Sequence, residues 1–239
     1  MQELPDNPDK LLVLAVKAYH KEDYKKLRRL CRRLLRSNRN DYFALCWYAN
    51  SLYFLGKQND HKAVSLYEQA IKVNPDHPLA HAGLGRIHHD NAISIAREYS
   101  IFPGGSQIMF EDELSPDDKS KRGLKGFADS ECGNRKVAIK ELEKAADLVK
   151  DRDDKVVTLS MAANIHCLIS NEDGIQAYKK LLDIAPDYVQ AHFDLAGCYA
   201  ATGKCKLALQ EYRYIKENAP KLATELKSVL TRYDIDVDD

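Results

Sequence analysis

The chain has 239 residues, with 36 basic and 36 acidic side chains, so its formal net charge is zero. This balance excludes a chain that acts as a whole as a polycation toward nucleic acid or membranes. There is no run of apolar residues long enough for a transmembrane helix, and Leu11–Val16 is too short for the apolar region of a secretory signal. The six cysteines form no Cys-x-x-Cys pair, so we expect reduced thiols and a cytoplasmic protein.

The first two segments share one pattern of small and large apolar residues. Ala15 in residues 8–41 lies 34 residues before Ala49 in residues 42–77. In the second segment the pattern consists of Ala49, Gly56, Ala63, Tyr67, Ala70 and Pro75. A period of 34 residues with this spacing predicts a pair of antiparallel helices in each segment.

The third segment, 78–154, is interrupted by an insertion of about 93–134. Helical periodicity continues to about residue 102, and a short helix over 119–127 is expected to end in a loop that leads to Arg135. Long insertions in compact folds are usually functional or disordered. We expect this one to reach over a binding face or dock a second partner, the alternative being an ordered decoration.

The pattern returns twice in the second half of the chain. In residues 155–188 and 189–222, Ala162 corresponds to Ala196 and Tyr178 to Tyr212. The turns are predicted at Asn171, Glu172 and Asp173 in the first segment and at Thr202 and Gly203 in the second. The sequence also predicts an N-terminal tail at 1–7, a capping helix at 223–233 and a frayed acidic tail at 234–239.

This repeated frame resembles the tetratricopeptide repeat (TPR) family. The resemblance implies an all-α fold, a right-handed α-solenoid of about five helix-turn-helix repeats with a C-terminal capping helix and one long insertion within a repeat. It also implies that the first helix of each pair lines a concave face, which commonly holds a peptide or helix of a partner protein.

Given the family register, the concave face combines aromatic rings with a few polar groups. The candidate partner-binding residues are Phe43, Asn50, Tyr53, Phe54, Arg86, His89, Asp90, His166, Gln190 and Phe193. The same register predicts that Leu12, Val16, Cys46, Leu159, Ala163 and Cys167 also face the groove. Asn50 can hydrogen-bond a peptide backbone and Arg86 can bind a carboxylate, the alternative being that both are only solvated.

Family members that bind the C-terminal carboxylate of chaperones use Lys, Asn and Arg at fixed groove positions. Here the corresponding sites of the first repeat hold Leu12 and Val16, and those of the third hold Leu79 and Gly83. A carboxylate clamp requires a cationic pocket. The sequence therefore disfavours a co-chaperone of that type.

No residue pattern predicts catalysis, a cofactor or a metal site. The densest candidate cluster contains His77, His81, His88, His89 and Asp90. His81 and His88 fall where the family buries aromatic side chains, so we predict that they belong to the core. A zinc site would need three or four ligands that converge.

The helix predicted over Lys25–Arg39 is the most unusual surface, with eight Lys or Arg among fifteen residues. Its basic patch consists of Lys25, Arg28, Arg29, Arg32, Arg33 and Arg36. Such a face could dock RNA, an anionic membrane or an acidic partner. The alternative is a solvated basic face, since no aromatic residue is interleaved for base stacking.

The sequence favours a non-catalytic adaptor or scaffold that binds a peptide or helix of another protein in its concave groove. The alternative is a regulator that docks RNA, an anionic membrane or an acidic partner through the basic helix. Self-association is a further possibility, because repeat arrays often associate through exposed terminal faces.

Overall fold

The computed structural model describes residues 7–56, 60–98 and 120–237, and for 95–98 and 120–132 the backbone alone. Every regular element in these ranges is an α-helix, which confirms the predicted all-α fold. The helices are α1 (Pro8–His20), α2 (Tyr24–Ser37), α3 (Tyr42–Phe54), α4 (Asp60–Val73), α5 (Pro78–Glu98), α6 (Ser120–Leu148), α7 (Arg152–Ile169), α8 (Asn171–Ile184), α9 (Val189–Ala201), α10 (Cys205–Asn218) and α11 (Pro220–Thr231).

The chain divides into two compact units. The first comprises residues 1–87 and 144–149, and the second comprises 88–143 and 150–239. Within the units, successive helices pack as hairpins, α1 on α2, α3 on α4, α7 on α8 and α9 on α10. A helix pair cannot bury its apolar stripe alone, so α2 also packs on α3, α8 on α9 and α10 on α11.

The core of the first unit forms where five helices, α1 to α5, contribute buried apolar residues. In α2 the residues Leu27, Leu30 and Leu34 recur on one face, and all are buried. Asp23 caps α2 by accepting a hydrogen bond from the amide of Lys26 at 3.0 Å. Small residues such as Ala49 and Ala63 are fully buried and allow the helix backbones to approach closely.

The second unit has a larger core built by α7 to α11. Tyr178 and Tyr212, which share one position of the pattern, are both buried in it. Between α9 and α10 the chain turns at Gly203, whose φ of +71° favours glycine. The turn lies at Thr202 and Gly203, as the sequence predicted.

Three sequence expectations on local structure are wrong. The turn predicted at 171–173 lies instead at Ser170, which caps α8 by accepting a hydrogen bond from the amide of Asp173 at 3.4 Å. The residues expected to form a turn therefore fill the first turn of α8, where the negative charges of Glu172 and Asp173 are favourable.

The loop expected between residue 127 and Arg135 is part of α6, which runs unbroken from Ser120. Gly133 costs about 1 kcal/mol in a helix, but tertiary contacts outweigh such a preference. Next to it, the Asn134 side chain contacts the His88 ring at 3.1 Å, and Arg135 donates to the Leu168 carbonyl at 3.1 Å. Residues 93–98 likewise continue α5, as their periodicity predicted, and 99–119 lie outside the described residues.

The C-terminal residues through Val237 are not frayed. Ile235 and Val237 are 5% and 8% exposed and pack in the core of the second unit. Acidic and apolar residues alternate here, so the apolar side chains enter the core while Asp234 and Asp236 stay outside. The prediction of a frayed tail is therefore wrong for 234–237, and residues 238 and 239 lie outside the described residues.

Candidate partner-binding surface of the first unit

One side of α3 displays aromatic rings to solvent. Phe43 and Phe54 are 44% and 46% exposed, high values for side chains of this size. Asp41 starts the helix by accepting a hydrogen bond from the amide of Ala44 at 2.9 Å. The chain leaves α3 through Gly56, whose φ is +128°, so the helix ends directly after Phe54.

Arg86, on α5, packs against two of the aromatic rings of α3. Its Nη2 donates a hydrogen bond to Oδ1 of Asn50 at 3.1 Å. The guanidinium lies 5.1 Å from the ring centroid of Tyr53 and 5.3 Å from that of Phe54. Both distances permit cation–π attraction. Asn50 is buried, so its amide orients Arg86 rather than facing solvent.

The neighbours of Arg86 fix its plane and leave part of its hydrogen-bonding capacity unused. Tyr24 stacks on Phe54 with centroids 4.5 Å apart and an interplanar angle of 14°. The Nε of Arg86 is buried and has no hydrogen-bond partner among the described residues. Burial raises the pKa of the neighbouring Tyr67, and the positive charge of Arg86 opposes that rise. The arrangement is a fixed cation between rings, suited to a carboxylate or carbonyl flanked by an apolar side chain.

A second group of rings continues the surface, and part of it was missed from the sequence. Trp47 lies 5.7 Å from Phe43 and 6.3 Å from Tyr19, measured between ring centroids. The ring centroid of His77 lies 5.5 Å from that of Phe43. Trp47 follows Phe43 by one helical turn, so the four-residue spacing could have identified it.

Several residues predicted for the groove lie elsewhere. Cys46 and Ala163 are fully buried, and Cys167 is 7% exposed with its Sγ 2.7 Å from that of Cys198. Cys46 lies on α3, which packs on both α2 and α4, so the buried face of this helix is wider than the register assumed. Leu12 remains 37% exposed, and Val16 and Leu159 are half-buried.

The other predicted groove residues belong to the second unit. His89 pairs with Asp90 at 2.8 Å, and His166 contacts Glu143 at 3.4 Å. Phe193 is half-buried against the core of that unit.

Gln190 donates to Oδ1 of Asp194 at 3.2 Å. Burial raises the pKa of Asp194 to about 6, although hydrogen bonds from Gln190 and Tyr178 lower it. These contacts order the side chains around Gln190 without forming a catalytic arrangement.

The basic patch lies along α2. Its exposed members are Lys25, Arg29, Arg32 and Arg36, whereas Arg28 and Arg33 are half-buried. Their charges are therefore available on one side of the helix.

The histidines expected in the core have structural partners. His81 is 5% exposed, and its Nε2 lies 2.8 Å from the Pro75 carbonyl, while His88 is half-buried. Within the described ranges, no three His, Cys, Asp or Glu side chains come together as metal ligands would. None of the helices in these ranges combines the length and apolar content needed to span a membrane.

Comparisons with known proteins agree with this architecture. The tetratricopeptide repeat family model matches residues 48–104 and 170–223. No curated protein matches the sequence significantly.

Solved structures share the fold at low identity. MamA (41-end) from Desulfovibrio magneticus RS-1 is 15% identical, with a TM-score of 0.62 over 92% of this chain and 98% of its own. TTC0263, a thermophilic TPR protein in Thermus thermophilus, is 19% identical, with a TM-score of 0.53 over 94% and 100%. YrrB, a TPR protein with an unusual peptide-binding site, is 14% identical, with a TM-score of 0.51 over 86% and 93%.

At these identities the likeness concerns the fold alone. The repeated frame, the stacked helix hairpins and the family match lead to one conclusion: this chain contains tetratricopeptide repeats, matched over residues 48–104 and 170–223.

Proposed function

We propose that the protein is a non-catalytic adaptor that binds a peptide or helix of a partner protein on the aromatic surface of α3 and α5. The observation that carries this proposal is the exposed ring of Phe54 beside the guanidinium of Arg86, with a second exposed ring, Phe43, three helical turns away on the same side of α3. Exposed apolar groups of this kind commonly mark interaction sites. Repeat proteins generally use extended surfaces to bind other proteins.

The chemistry of the surface indicates what the bound segment carries. The aromatic rings can pack against an apolar side chain of the partner. Arg86 can donate hydrogen bonds to a carboxylate or a backbone carbonyl next to that side chain. The proposed segment therefore has an apolar anchor next to an acidic residue or an exposed carbonyl. YrrB offers a precedent on a similar fold, as a TPR protein with a peptide-binding site.

A terminal-carboxylate clamp does not form part of the proposal. At the family's cationic positions this chain has Leu12, Val16, Leu79 and Gly83. Gly83 lies against Tyr67, so a longer side chain would not fit there. We propose that the adaptor is cytoplasmic, supported by cysteines such as Cys31 and Cys46 that are free thiols, as in a reducing compartment.

Affinity capture with matched variants tests the proposal. The groove variant is Phe43→Ala with Phe54→Ala, and the control is Val73→Ala with Leu207→Ala, two exposed apolar residues on second helices of their pairs. Circular dichroism first establishes that both variants are folded. We expect the groove variant to lose a partner by at least about tenfold, because central aromatic residues dominate such interfaces.

A further variant, Arg86→Lys, keeps the charge but loses the planar fork that meets a carboxylate. This variant should bind the same partner more weakly than the wild type does. Equal capture by wild type, groove variant and control would contradict the groove proposal.

A further inference from the structure

The exposed side of α2 carries a row of four cations that the groove proposal does not use. Lys25, Arg29, Arg32 and Arg36 are spaced by four, three and four residues, so they share one face over roughly 16 Å. All four are exposed, and none has an ion-pair partner among the described residues. The helix contains no acidic residue that could neutralise them.

The burial of the opposite face of α2 determines how this row can act. Leu27, Leu30 and Leu34 are at most 4% exposed, because they fill the core of the first unit. The helix therefore cannot insert an apolar face into a bilayer, as amphipathic membrane-binding helices do. Its only aromatic residue, Tyr24, stacks on Phe54, so the cationic face offers no ring for nucleic-acid bases.

The row is also short and bounded by acids. Glu22 and Asp23 precede α2, and Asp41 follows it. A long polyanion that followed the row would meet these carboxylates at either end. A short acidic segment would lie within the row and avoid them.

We propose that this row, Lys25, Arg29, Arg32 and Arg36, binds a short acidic helix of a partner protein. Two α-helices have the same rise, so carboxylates spaced by four, three and four residues can each meet one cation. Three of the four cations are arginines, which bind carboxylates with two parallel hydrogen bonds. The surface is separate from the groove, so it would recruit a second partner segment.

A peptide titration monitored by NMR tests this assignment on the full chain. The probe is a synthetic helical peptide with four glutamates at the spacing of the row, and its control carries glutamines there. Titrations run at roughly 10 mM and roughly 150 mM salt, where the Debye length is about 30 and about 8 Å. We expect the glutamate peptide to shift amide signals of α2 and to bind more weakly at the higher salt.

Charge-neutralised variants identify the residues. Arg29→Gln with Arg32→Gln should bind the glutamate peptide roughly tenfold more weakly, since each exposed ion pair contributes about two- to fivefold. Lys180→Gln with Lys206→Gln removes two exposed cations of the second unit and should leave the affinity unchanged. Circular dichroism verifies the fold of each variant.

Parallel titrations with a single-stranded RNA oligonucleotide and with anionic vesicles complete the test. Binding of either one to α2, with no response to the glutamate peptide, would overturn the acidic-helix assignment. Equal affinity of the variant pair and the control pair would overturn it as well.

Discussion

Gly83 lies so close to the ring of Tyr67 that its position has no room for a Cβ atom. A Cβ at this position would lie 2.2 Å from Cζ of Tyr67, a ring that is 2% exposed. We predict that Gly83→Ala lowers the free energy of unfolding by about 1–3 kcal/mol through overpacking, although alanine is the better helix former. Urea denaturation measures the change.

The matched control for this substitution is Gly197→Ala, also within a helix. A Cβ there meets nothing within 4 Å. We expect this substitution to raise the free energy of unfolding by up to about 1 kcal/mol, from helix propensity alone. Destabilisation of equal size in both variants would contradict the packing explanation.

Asp194 links burial to pH dependence. Its pKa is about 6 in the folded protein, against the ordinary 3.8. The folded state thus binds the proton more tightly than the unfolded state, so this group favours folding at low pH. Stability falls as the pH rises from about 4 to about 6, by an amount on the order of 2–3 kcal/mol.

Asp194→Asn should therefore stabilise the protein at neutral pH, and the gain should vanish below about pH 4. Thermal denaturation across this range measures both. The control is Asp187→Asn, because Arg152 lowers the pKa of Asp187 and the expected effect has the opposite sign. A gain for Asp194→Asn that is independent of pH would contradict the burial argument.

The residue-scale site was predictable only in part. Exposed rings such as Phe54 follow from helical spacing, since the repeat register places them on the groove side of α3. The contact between Asn50 and Arg86 joins residues 36 positions apart. It depends on how α5 packs against α3, which no local pattern specifies.

At the scale of elements, the C-terminal residues test how far the core extends. Ile235 is 5% exposed in the core of the second unit. We predict that Ile235→Ala lowers the free energy of unfolding by about 2 kcal/mol or more, the usual cost of deleting a buried aliphatic side chain. Ile184→Ala, at a position that is 37% exposed, should cost clearly less. Equal small losses would indicate that the tail does not contribute to the core.

The helix pairs could be predicted from the sequence because small residues and aromatic residues recur at fixed spacing. Their ends were less predictable. Asn171 and Asp173 occur equally well in turns and in the first turn of a helix, so the position of Ser170 as the cap was ambiguous. A loop before Arg135 was predicted, but the contacts of Asn134 and Arg135 support the helix there.

At the scale of the whole molecule, the two units have separate cores. Leu27 is fully buried in the first unit. Leu27→Ala should cost about 2–5 kcal/mol, because it leaves a cavity. In a repeat array each hairpin contacts mainly its neighbours, so the loss of hydrogen-exchange protection should concentrate in α1 to α4. Uniform loss of protection through α8 to α11 would contradict this local coupling.

Site-specific photo-crosslinking tests the central claim, partner binding on the α3 and α5 surface, most directly. A photoreactive phenylalanine analogue replaces Phe54 in one sample and Val73, an exposed residue of α4, in another. We predict a discrete crosslinked partner segment at Phe54 that is absent at Val73 and reduced by Arg86→Lys. Crosslinks at Val73 alone, or equal crosslinks at both positions, would contradict it.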